Sequence, residues 1–272
     1  MVFAQIKTVQ PGLHSQVVLY MLEGFGVTVQ LSSKQPPDAL IVQLWTNVIN
    51  KRNSEGDWVG IDLKYEAEIA PNLYQFTHSI LPTSTGDFQF TYRVGLKENP
   101  QNWLWAGSFQ ENGNLRVEPP SDAMGWTQGA SYVEFLPGVY VGNFIAASQA
   151  ESLGFDAVLN LAAEFPLSFT PESNISYKHI RLLDGAVNII PDEAIQESID
   201  WLNLQLKAGR KVLINCRAGI GRSGSMSVAY CYYKNANWSY EKTLDYMWDQ
   251  KADIYPHRNL KESLERLFPR AN

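Results

Sequence analysis

Cys216-Arg217-Ala218-Gly219-Ile220-Gly221-Arg222 joins an apolar run to an amphipathic one, and no other stretch constrains the chain as tightly. Lys211-Val212-Leu213-Ile214 reads as a short buried strand and Ser225 to Tyr233 as a packed helix, so the loop is expected where a strand ends and a helix begins. The first N–H groups of a helix have no partner within it, and the helix dipole favours negative charge at that end. The amides of Arg217, Ala218, Gly219, Ile220 and Gly221 therefore form a cradle of phosphate size. The same field favours the thiolate of a cysteine placed there, and the thiolate is the nucleophile. Arg222 adds a planar fork suited to two phosphoryl oxygens.

On these residues the chain resembles the cysteine-dependent phosphatases, whose signature is C-x5-R, and within them the compact dual-specificity branch. The resemblance covers about half of the chain. It starts near Phe135-Leu136-Pro137-Gly138-Val139-Tyr140-Val141-Gly142-Asn143, includes Ala157-Val158-Leu159-Asn160-Leu161, and ends with the helix after Pro256. That family places a general-acid aspartate roughly thirty residues before the cysteine, and Asp184 lies 32 positions upstream of Cys216. The resemblance implies Cys216 as nucleophile, Asp184 as acid and then base, and Arg222 on the phosphoryl oxygens. It also places the Ser223 hydroxyl on the departing thiolate, with no metal and no cofactor. Asn215 stands where most of the family has histidine, a residue that helps to hold the loop.

The C-terminal half alternates strand and helix patterns. Ile195, Ile199, Leu202 and Leu206 recur at helical spacing after Pro191-Asp192-Glu193, with Gly209 as a stop. Leu244, Met247 and Trp248, then Leu260, Leu264 and Leu267, mark two further helices. This alternation predicts an α/β domain over 131–272 with a mainly parallel sheet flanked by helices.

Residues 1–120 read as an all-β sandwich. Phe88, Phe90, Tyr92 and Val94 alternate, as do residues 73–78, and Thr85-Gly86-Asp87 and Asn112-Gly113 supply turn residues. The interruption of both periodicities after Glu118-Pro119-Pro120 predicts a linker over 121–130. Five of the eight tryptophans, Trp45, Trp58, Trp103, Trp105 and Trp126, precede the phosphatase-like region. Trp103 and Trp105 in one strand would point to the same side. Indole faces serve equally as sugar platforms and as core, and Trp45, Trp58, Trp103 and Trp105 are the carbohydrate-binding candidates. Phe88 to Arg93 and Trp103 to Gly107 are similar to late strands of starch-binding β-sandwiches. A module of that kind beside a dual-specificity domain resembles the laforin-type glucan phosphatases.

The resemblances imply a phosphomonoesterase acting on phosphorylated α-glucan. One alternative is a dual-specificity protein phosphatase whose β-module recruits a phosphoprotein; another is a glycan- or phosphate-binding scaffold without turnover. A formal charge of −6 does not favour nucleic acid. No apolar run approaches bilayer thickness, and two cysteines, Cys216 and Cys231, make no disulfide framework, so a cytoplasmic protein without membrane attachment is expected. Cys231 reads as a small core residue. His14, His78, His179 and His257 all lie far from Cys216 in sequence, which speaks against a Cys-His protease.

Overall fold

The computed structural model describes residues 3–121, 129–170 and 172–270. The chain divides into two units, Met1–Pro120 and Ser121–Asn272. Most of the expected linker, and Trp126, lie outside the described residues.

The first unit contains β1 (Ala4–Gln10), β2 (Gln16–Tyr20), β3 (Phe25–Ser33), β4 (Leu40–Thr46), β5 (Val59–Asp62), β6 (Lys64–Ala70), β7 (Leu73–Ile80), β8 (Gly86–Leu96), β9 (Asn99–Trp105) and β10 (Gly113–Glu118). One sheet runs β1-β3-β7-β6; the other runs β2-β10-β8-β4-β5, with β9 also on β8. The period-2 pattern decides which side of each strand is covered. Phe88, Phe90, Tyr92 and Val94 of β8 are buried, as are Phe25, Val27, Val29 and Leu31 of β3. The Phe25 and Phe90 rings meet edge-on at 5.1 Å, linking the inner faces of the two sheets. Gly86 and Asp87, expected in a turn, instead begin β8, because the ladder to β10 extends to Val117 opposite Gly86.

The second unit contains β11 (Tyr132–Leu136), β12 (Val139–Gly142), α1 (Phe144–Ser148), β13 (Ala157–Ala162), β14 (Ser176–Leu182), α2 (Asp192–Lys207), β15 (Val212–Asn215), α3 (Arg222–Lys234), α4 (Tyr240–Gln250) and α5 (Leu260–Leu267). Its sheet is ordered β11-β12-β15-β13-β14; β11 is an antiparallel edge and the other four strands are parallel. Parallel strands covered on both faces read as continuous apolar runs, and every residue of β13 and β15 is buried. One face packs against Ile195, Ile199 and Leu202 of α2, Met226 and Ala229 of α3, Met247 of α4 and Leu264 of α5. Ala146 and Ala147 of α1 cover the other, with Phe155, Val158 and Leu213. Helix α2 begins after Pro191 and ends before Gly209, which adopts φ +74°, as its stop signals predict.

This topology delivers Gly142, Cys216, Glu164 and Asp184 from the carboxyl ends of β12, β15, β13 and β14, the end at which open parallel sheets present their crevice. Close approach there requires glycine. Gly219 has φ +81°, and a Cβ on it would come within 2.6 Å of the Gly142 carbonyl carbon. Gly219→Ala is therefore expected to destabilise the unit by at least about 1–2 kcal/mol from the backbone conformation alone, with loss of phosphate binding as the loop is pushed off β12. Urea unfolding and phosphate titration of the variant check this, and wild-type values for both would refute it.

Candidate active site

Cys216 follows β15 and is buried, and its Sγ lies 3.1 Å from the Ser223 Oγ in the first turn of α3. The Ser225 N–H donates to the Gly221 carbonyl at 2.7 Å, so the helical ladder starts at once after the loop. Arg222, assigned to the loop by sequence, is the first residue of α3. The loop is fixed from outside as well: the Phe144 N–H donates to the Arg217 carbonyl at 3.0 Å. Arg217 stands over the Phe165 ring at 5.8 Å, so it is a rim residue with a partner and not a freely solvated side chain.

The Arg222 side chain is wholly enclosed. Its Nη1 donates to Glu164 Oε2 at 2.5 Å and to the Leu182 carbonyl at 3.1 Å, and its Nη2 donates to Glu164 Oε1 at 2.6 Å. Asp184 Oδ2 lies 3.4 Å from the same Nη2. The Nε–H is buried and has no hydrogen-bond partner among the described residues. One edge of the fork is thus held by Glu164, and a donor remains for an anion. Burial opposes the charge on Arg222, but the Glu164 hydrogen bonds and the fields of Cys216 and Asp184 raise its pKa above the ordinary value. Burial would raise the Glu164 carboxyl, yet its hydrogen bonds to Arg222 and the charge there hold it below the usual range.

Sequence reading missed Glu164. Its position just beyond the buried run of β13 was a signal, but its partner is 58 residues away. Asn160 shapes the turn that carries it: its Oδ1 accepts from the Ala162 N–H at 3.0 Å and its amide donates to the Phe165 carbonyl at 2.7 Å. Asn215 lies directly opposite on β15 and donates to Asn160 Oδ1 at 3.2 Å and to the Cys216 carbonyl at 3.3 Å. Asn215 therefore ties the strand that leads to Cys216 to the Glu164 turn.

Asp184 follows β14, its Oδ1 accepting from the Gly185 N–H at 3.0 Å. Cys231 is buried on α3, where burial pushes its thiol up to about 11. The four tryptophan candidates lie in the first unit and do cluster. Trp45 stacks on Trp58 at 6.3 Å and meets Trp105 edge-on at 6.1 Å. The Arg93 guanidinium lies 3.8 Å from the Trp45 centroid and 4.0 Å from that of Trp103. Trp45 and Trp103 are thus partly covered by Arg93. Trp105, 42% exposed, is the most open of the four.

Residues 139–268 match the family model "Dual specificity phosphatase, catalytic domain", so the C-terminal unit carries a phosphatase catalytic domain of the dual-specificity type. Human dual specificity protein phosphatase 1 is 34% identical over 106 residues, which are 38% of this chain and 28% of that protein. Human dual specificity protein phosphatase 5 is 30% identical over 128 residues, 46% of this chain and 32% of that one. The crystal structure of the human tyrosine phosphatase-like serine/threonine/tyrosine-interacting protein is similar with a TM-score of 0.44 and 21% identity, covering 50% of this chain and 94% of that one.

Because the folded pKa of Glu164 is lowered, its contribution to stability is fully present above the ordinary value of 4.5 and is lost as pH falls through the folded value. Glu164→Gln should cost on the order of 1–2 kcal/mol at neutral pH, discounted for a partly exposed carboxylate. The gap from wild type should close in acid. Denaturant unfolding of both proteins across the acid range checks this; a constant gap would disprove it.

Proposed function

We propose that the C-terminal unit is a cysteine-dependent phosphomonoesterase working through a phosphocysteine intermediate, with phosphotyrosine and phosphoserine or phosphothreonine in proteins as its substrates. The observation that carries the reading is the convergence of the Cys216 thiol, Arg222 and Asp184 around one cradle. In the first step the Cys216 sulfur bonds to phosphorus while the ester P–O bond breaks, and Asp184 gives its proton to the leaving oxygen. In the second, water attacks phosphorus, the S–P bond breaks and Asp184 takes a proton from that water. The loop amides and Arg222 hold the equatorial oxygens throughout. Ser223 Oγ donates to the thiolate as it leaves.

The phosphoprotein reading stands ahead of the glucan one because the relatives described above are protein phosphatases by name. This reverses the order that the laforin-type resemblance implied. A phosphorylated α-glucan remains the second reading, favoured by the clustering of Trp45, Trp58, Trp103 and Trp105 in the first unit. The scaffold reading has less support, because a site that only binds phosphate has little need of an acid beside the nucleophile.

Cys216→Ser is expected to abolish turnover of para-nitrophenyl phosphate while phosphate binding persists, since a hydroxyl is a far weaker nucleophile in the same cradle. Turnover at the wild-type rate would sink the mechanism.

Phosphopeptides should be hydrolysed with a kcat/KM at least about tenfold above that for solubilised phosphorylated amylopectin, a transition-state difference of about 1.4 kcal/mol. The opposite ranking, with Trp105→Ala lowering only the amylopectin rate, would establish the glucan reading instead.

A further inference from the structure

Residues 255–259 touch both halves of the site. The Tyr255 N–H donates to the Ile220 carbonyl of the cradle at 3.1 Å. The same tyrosine backs Gly221, where a Cβ would lie 2.6 Å from its hydroxyl. The His257 N–H donates to Ser225 Oγ in the first turn of α3 at 2.9 Å. On the other side the His257 Nδ1 lies 2.6 Å from the Asn188 carbonyl, and the Arg258 N–H donates to the Ala186 carbonyl at 2.9 Å. Asn259 donates to the Ile190 carbonyl at 2.8 Å and accepts from the Ile190 N–H at 3.1 Å.

Asn188 closes the Asp184 loop on itself. Its side-chain amide donates to the Asp184 carbonyl and its N–H to the Gly185 carbonyl. A carbonyl only accepts, so the His257 Nδ1 carries the proton in this contact. The Nε2 is then a bare acceptor, buried and without a hydrogen-bond partner among the described residues. Burial, opposed by the Asn188 hydrogen bond and by Asp184, lowers the His257 pKa and so favours this neutral ring.

We propose that His257 is a positioning residue for the acid: through Asn188 it sets the reach of Asp184 toward the leaving oxygen, while its backbone registers the same segment on the nucleophile's helix. The inference rests on the cysteine mechanism proposed above. A residue that positions only the acid matters in proportion to how much the leaving group needs a proton. A residue that merely supports the fold matters equally for every substrate.

The test compares a phosphoserine peptide, whose alkoxide is a poor leaving group, with para-nitrophenyl phosphate. His257→Leu removes the Nδ1 donor at similar volume. It should lower kcat on the phosphoserine peptide by at least about tenfold and on the aryl ester by less than about threefold, while His257→Asn, which keeps an N–H donor near Nδ1, restores most of the loss. In an Asp184→Asn background His257→Leu should add no further loss, the non-additivity expected of two residues acting as one unit. Equal losses on both substrates, additive losses with Asp184→Asn, or no loss at all would each overturn the proposal. Should His257→Leu not fold, Asn188→Ala cuts the same link from the acid-loop side and is read by the same criteria. If Cys216→Ser abolishes turnover and Asp184→Asn shows the leaving-group dependence but the His257 and Asn188 variants do not, the role of His257 alone is rejected. Turnover that survives Cys216→Ser rejects both.

Discussion

The paired contact between Arg222 and Glu164 is the constraint around which the catalytic unit is arranged. An enclosed guanidinium is tolerable only when an opposite charge and hydrogen bonds replace the water it has lost, and Glu164 with the Leu182 carbonyl supplies them on the Nη edge. Because that edge is spoken for, the unpartnered Nε–H has a fixed direction before any ligand arrives. A fork held in place loses little freedom on meeting a phosphoryl group, which is the general advantage of preorganisation in binding and catalysis. The arrangement also gathers charge: Glu164 and Asp184 both face the Arg222 guanidinium, the Arg217 charge acts on Glu164 as well, and the loop amides at the start of α3 add positive potential.

Glu164 itself depends on a sheet-end device. It leaves β13 on a turn whose shape comes from Asn160, and Asn160 is held from β15 by Asn215. Two buried asparagines in register across adjacent parallel strands thus couple the position of Cys216 to that of the carboxylate orienting Arg222. The substitution of asparagine for the family's histidine lies inside this link. The Asn215 amide donates to Asn160 and to the Cys216 carbonyl, while its Oδ1 is buried with no hydrogen-bond partner among the described residues.

How much of this was legible depended on whether the information was local. The strand, cradle and helix around Cys216 occupy one continuous stretch, so pattern and loop chemistry placed them to within a few residues. The stripes of α2, α4 and α5 were likewise readable, since a period of 3.6 records burial directly. Asp184 became visible only through the family spacing. Glu164 left no pattern, because its partner is distant in sequence, and the link from His257 to Asn188 spans 69 positions. Separation along the chain spoke against a Cys-His pair but hid a histidine that packs behind the Asp184 loop. In the first unit the alternation of β8 placed Phe88, Phe90, Tyr92 and Val94 inward, which already put Arg93 on the opposite side. What it could not give was the neighbour. Only the pairing of β8 with β4 and β9 brings Trp45 and Trp103 to the two sides of that guanidinium.

The pattern of connections also bears on which parts of the site have room to move. Cys216 and Ser223 belong to a strand end and a helix start whose residues are almost wholly buried, so Cys216 is enclosed by the same packing as the core beneath it. The Asp184 loop has a different character. Leu183 and Ile189 on either side of it are exposed, and beside the buried Ala186 and Ile190 its backbone is held by hydrogen bonds to residues 257–259. Hydrogen bonds of this kind each contribute roughly 1 kcal/mol net, whereas moving the buried strand end would forfeit several kcal/mol of packing. Asp184, with its side chain 31% exposed, therefore sits in a more open setting than the buried Cys216. In the mechanism proposed above, that puts the more open setting on the side where the leaving oxygen departs.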